Sequence, residues 1–135
     1  MSELAQDPAA LLAMMPFAVV CGVEVETATA EEVRGGIDWA AERCTSGGVM
    51  HGGALMALAD TLGAVCAFLN LPAGAGTSTI ESKTNFFRAL RAGRASARST
   101  PLHVGRTTIV VQTDIRDAEG RRLALVTQTQ AVIQS

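Results

Sequence analysis

Two hydrophobic rhythms follow one another along the chain, and their order predicts its elements. Asp7 ahead of Pro8 fits an N-cap and first helical position, so a short helix is expected over residues 8–15, closed by Pro16. From Phe17 the apolar residues fall at every second position (Phe17, Val19, Cys21, Val23, Val25), which predicts a strand. Val33, Ile37 and Trp39 predict another after a turn. Residues 41–50 read as a polar loop. The stretch from Gly52 to Leu69 has helical length and is apolar on nearly every face, the mark of a buried helix rather than an amphipathic one. Four segments of strand length follow, at residues 77–87, 93–103, 106–117 and 121–133. Between the last two, Asp117-Ala118-Glu119-Gly120 supplies a hairpin turn with glycine where a positive φ is needed.

Helix, two strands, buried helix, four strands: one antiparallel sheet wrapped around one long central helix satisfies this order. The helix must be covered, and each strand has one apolar face to cover it with, so the expected class is α+β. At 135 residues and 48% apolar, the chain is expected to form one domain over residues 1–135, with residues 1–16 as a helical lead-in.

Asp60 breaks the pattern. It stands in the middle of the apolar helix, where propensity does not favour it and burial without partners would cost several kcal/mol. Such an acid is either a structural hydrogen-bonding group or a functional one. The helix begins at His51-Gly52-Gly53, and glycines there leave the unpaired first-turn N–H groups open from the side, at the positive end of the dipole. That end is either tightly packed or a place to stabilise an oxyanion. Gly52 and Asp60 are about 12 Å apart along a helix, too far for one carbonyl to touch both. If both act on one bond, they come from two copies of the helix, and a homodimer with antiparallel helices is expected.

Charge adds one feature. The net charge of −2 gives no reason to expect a nucleic-acid partner, yet nine of the thirteen acids lie in the first sixty residues. Lys83, Arg88, Arg91, Arg94, Arg98 and Arg106 then crowd a stretch whose one acid is Glu81. This band either meets a phosphate-bearing ligand or decorates strand edges. Cys21, Cys44 and Cys66 suggest neither a disulfide framework nor a zinc site, and with two histidines, His51 and His103, a metal has little to bind. A reducing cytoplasm is the expected location. The beginning of the chain shows no secretory pattern, and its longest apolar run, residues 54–71, is interrupted by Asp60, Thr61 and Asn70, so no membrane association is expected.

The segment His51-Gly-Gly-Ala-Leu-Met-Ala-Leu-Ala-Asp60-Thr, with Thr79-Ile-Glu-Ser-Lys-Thr-Asn-Phe-Phe-Arg88 after it, resembles the hotdog-fold thioesterases of the phenylacetate-pathway and 4-hydroxybenzoyl-CoA type. The likeness runs from about Phe17 to Ile133. It implies hydrolysis of an acyl-CoA by a homodimer, assembled as a tetramer, with no cofactor because coenzyme A is part of the substrate. It implies that the Gly52 amide polarises the thioester carbonyl. Asp60 of the facing protomer would attack the carbonyl or activate water, Thr79 would assist that water, and His51 would support the loop. Gly53, Thr45, Ser78, Arg88, Gly105 and Arg106 are the expected substrate contacts, with Arg88 and Arg106 toward the phosphates. Two positions depart from the family: Thr45 stands where it commonly has Asn, and Ala89 follows Arg88 where it often has Pro. Two other readings share the resemblance, a hydratase or dehydratase of acyl thioesters using His51, and an acyl-CoA binder without catalysis.

Overall fold

A computed structural model describes residues 7–134. Their elements are α1 (Pro8–Ala13), α2 (Pro16–Cys21), β1 (Glu24–Ala28), β2 (Val33–Asp38), α3 (Gly52–Phe68), β3 (Gly76–Phe86), β4 (Arg94–Val104), β5 (Thr108–Arg116) and β6 (Arg122–Ile133). Single 3₁₀ turns at Ala41–Arg43 and Ser46–Gly48 shape the expected loop. The strands form one sheet in the order β1-β2-β4-β5-β6-β3, every neighbouring pair antiparallel. The sheet curves around α3, whose Leu55, Leu58, Leu62, Val65 and Cys66 are buried in one core with Ile37, Ile109, Val111, Ile115 and Val126. Each such side chain contributes roughly 1.5–3 kcal/mol when removed from water.

The expected first strand is the main correction. Residues 16–21 are helical, and β1 starts only at Glu24. Pro16 does not merely close α1. It opens α2 from the first helical position, where its missing N–H costs nothing. Gly22 closes that helix with φ +85°, its N–H directed at the Ala18 and Val19 carbonyls, and the Arg43 guanidinium packs where a Cβ would stand. Phe17 and Val19 are 71% and 52% exposed, so their alternation does not mark one buried sheet face; Ala18 is the residue of α2 that enters the core.

The hairpin between β5 and β6 is held by Asp117, which is buried. It accepts hydrogen bonds from the backbone N–H groups of Glu119 and Arg121, at 3.0 and 2.9 Å, and from Arg121 Nε at 2.8 Å. Burial alone would raise its pKa, but these donors and the Arg121 charge together hold the carboxyl below the usual range. A carboxyl depressed on folding contributes stability above its unfolded value, and that contribution is lost as pH falls through the folded one. Urea titrations are therefore expected to show Asp117→Asn less stable than wild type at neutral pH. The gap should narrow below about pH 4; a gap independent of pH would contradict this account.

Candidate active site

The entry to α3 is tied down on two sides. The Met50 N–H donates to the Leu90 carbonyl and the His51 N–H to the Arg43 carbonyl, at 2.9 and 2.8 Å. His51 is the N-cap, and its Nδ1 accepts the Gly53 N–H at 2.7 Å. The Ala54 N–H turns back to the His51 carbonyl. That leaves the Gly52 N–H without a partner among the described residues, an uncommitted donor at the positive end of a 17-residue helix. With Nδ1 used as an acceptor, neutral His51 carries its proton on Nε2. Gly52 lines a cavity of about 360 Å³ with Thr45, Phe86, Phe87 and Arg88, so three of the expected site residues share one space.

Asp60 lies two turns further on and belongs to a different cavity, of about 400 Å³, lined by Phe17, Gly53, Met56, Ala57, Asp60, Thr79 and Ser82. In this chain its side chain is exposed, which corrects the expectation of a helix covered all round. The uncovered stripe of α3 runs through Gly53, Met56 and Asp60 and is itself largely apolar, which is why periodicity did not reveal it. Asp60 Oδ1 accepts from Gln128 Nε2 at 2.8 Å and from Thr79 Oγ1 at 3.3 Å; among the described residues Oδ2 has no partner.

The hydroxyl beside Asp60 is set by an irregularity in β3. Thr79 pairs with Gln130 and Ser82 with Gln128, and the register shifts between Thr79 and Glu81. The extra residue, Ile80, lets positions three apart face the helix together. Ser78 pairs with Ala131 and, by strand alternation, stands on the opposite face from Thr79, away from Asp60. Gly105 and Arg106 line a cavity of about 590 Å³ with Asn70, Leu71 and Pro72, at the far end of α3 from Gly52. Within one chain, then, eight of the ten expected site residues fall into three groups: Gly52, Thr45 and Arg88; Asp60, Thr79 and Gly53; Gly105 and Arg106; His51 lines another cavity with Gly53, and Ser78 stands apart.

Gln128, Ser82 and Phe17 were not anticipated. A signal for Gln128 was available: it continues the inward row Ala124, Val126, where a polar residue requires a partner. Cys66 supplies no nucleophile, since burial pushes its thiol up to about 11 and keeps it protonated near neutral pH.

An antiparallel six-stranded sheet packed around one long central helix defines the hotdog fold. Residues 47–124, more than half of the chain, match the thioesterase superfamily, and the chain belongs to that family. A Vibrio cholerae protein provisionally named an esterase is 38% identical over 88 residues, covering 65% of this chain and 59% of the other. The 1,4-dihydroxy-2-naphthoyl-CoA hydrolase of Escherichia coli is 33% identical over 86 residues, covering 64% and 63%. The matched segment thus spans less than two thirds of either relative. Over the whole fold, a mutant thioesterase from Pseudomonas aeruginosa superposes with a TM-score of 0.88 at 26% identity, covering 94% of each chain.

Proposed function

We propose that this chain hydrolyses the thioester of an acyl- or aryl-coenzyme A, giving the free acid and coenzyme A, at a site shared by two protomers. The observation that carries the reading is the state of two polar groups on α3. Asp60 is held through one oxygen with the other free, and the Gly52 N–H at the helix start is uncommitted. About 12 Å of helix separates them, so one carbonyl reaches both only if a second copy lies antiparallel across the exposed stripe of Met56 and Asp60. The Gly52 amide then stabilises the tetrahedral oxyanion, and Asp60 of the other protomer acts as nucleophile or as general base toward water, with Thr79 beside it. The S–C bond breaks, the thiolate of coenzyme A takes a proton, and water supplies the acid's second oxygen.

His51 favours this over a hydratase reading. A hydratase using His51 as its base needs a free ring nitrogen, and Nδ1 is spent on the cap. The ligand-facing cationic groups are Arg88 beside the Gly52 cavity and Arg106 at the other end of α3, which the antiparallel partner would bring to the same site. Acyl-CoA as substrate, coenzyme A phosphates on these arginines, a dimer pairing into a tetramer, one domain over the whole chain and a cytoplasmic location complete the proposal. Among the described residues no helix is long and apolar enough to cross a membrane, and Cys21, Cys44 and Cys66 are unpaired.

The test is release of free thiol from acetyl-, hexanoyl-, palmitoyl-, benzoyl- and phenylacetyl-coenzyme A. Turnover of at least one is expected, and no turnover of any would end the enzyme reading. With the best of them, Arg88→Glu and Arg106→Glu should each raise KM about tenfold with kcat nearly unchanged, as loss of uniform binding does. A fall in kcat at constant KM would move that arginine from the phosphates to the reaction itself.

A further inference from the structure

We propose that Gln128 is a positioning residue, a buried amide whose one hydrogen bond selects which oxygen of Asp60 is left to react. The proposal rests on Asp60 being the reacting acid. Gln128 is 1% exposed on the inward row of β6. Its Nε2 donates to Asp60 Oδ1 at 2.8 Å, while its Oε1 is fully buried and has no hydrogen-bond partner among the described residues. A buried acceptor without a donor is costly, and an apolar side chain of the same size would fill this space without that penalty. What the amide supplies and an apolar chain does not is a donor aimed at a carboxylate.

Two further features fit it to this task. Gly63, three residues beyond Asp60 on α3, leaves the notch the amide occupies: a Cβ there would stand 2.0 Å from Gln128 Oε1. Thr79 donates to the same Oδ1, so both donors converge on one oxygen. Oδ2 remains without a partner among the described residues, on a side chain that lines the cavity. The direction of the amide is set by charge. A carboxylate accepts from NH₂ and repels Oε1, so the amide turns its donor to Asp60. Among the described residues Asp60 forms no ion pair with Arg, Lys or His, and its neighbours in the cavity are the neutral Thr79, Ser82, Met56 and Phe17.

The experiment compares the full-length wild type with Gln128→Met, which keeps the volume and removes the donor, and with Asp60→Asn. Thiol release from the best substrate of the panel above is followed at neutral pH, beside urea unfolding of each variant. For Gln128→Met we expect kcat to fall about tenfold with KM within about twofold. A residue that only packs would lower the urea midpoint and leave kcat of the folded protein in place. If Asp60→Asn is inactive while Gln128→Met keeps the wild-type kcat, the positioning role is wrong and the assignment of Asp60 stands. If Asp60→Asn is fully active, both fall. Should Gln128→Met not fold, Asp60→Asn suffices: the Gln128 side-chain NH₂ resonances must shift from their wild-type positions, and their failure to do so overturns the proposal.

Discussion

Replacing Asp60 by Asn is expected to lower kcat about 1000-fold, within the range for removing a positioned acid or base, while leaving the fold intact. Asn keeps the shape and an oxygen that can accept from Gln128 Nε2, so what is lost is the charge. Steady-state thiol release measures it, and a decline of less than tenfold would remove Asp60 from the reaction. The same variant tests whether the site is shared. Gly52→Pro removes the free N–H at a first helical position, where proline's φ is tolerated, although Phe86 Cζ at 3.1 Å from a Cβ there leaves little room. Each variant alone should be nearly inactive. If amide and carboxylate come from different protomers, unfolding the two together and refolding them restores one intact site in each mixed dimer. Activity then returns to about a quarter of wild type under random pairing. If both groups acted within one protomer, mixing would restore nothing.

The second large effect is on stability. Gly35 lies in β2, between Val25 of β1 and Ala97 of β4. A Cβ at Gly35 would stand 2.2 Å from the Glu24 carbonyl oxygen and 3.1 Å from Leu62 Cδ2. The first of these is backbone and has no rotamer to yield. Gly35→Ala, the mildest of substitutions in most strands, should therefore force β1 off its register and cost about 3 kcal/mol. Urea unfolding should show the midpoint lowered by roughly 1–2 M, and a midpoint equal to wild type would mean β1 can shift without loss.

The architecture was legible because it depends on patterns that tertiary packing rarely overrules. α3 and the four strands after it each lie within about two residues of their sequence-predicted limits, since period and length agree there. At Pro16–Cys21 those two signals conflict. An alternating apolar pattern suggested a strand, yet Pro16 and Gly22 bracket a helix of one and a half turns, and the local stop and start signals won. At the candidate site, the residues marked by an oddity in their own element could be singled out from sequence: Asp60 in an apolar helix, glycines at a helix start. Ser78 and Thr79 could not be told apart, because a one-residue bulge at Ile80 decides which faces the helix. Gln128 needed the phase of β6, read outward from Val126, to show that a polar residue points inward.

The two open borders of the sheet are treated differently. β1 is five residues long, irregular between Val25 and Thr27, and carries Glu24 and Glu26 in ion pairs with Arg94. These features discourage any strand from adding there. β3 is eleven residues long with Ile80 and Phe86 exposed, and among the described residues no strand lies beside its outer row of amides and carbonyls. Whatever fails to close that row with the right neighbour leaves it to the wrong one. If the proposed dimer closes that row, variants that cannot pair should be lost as insoluble aggregate during expression, before any assay registers a loss of turnover.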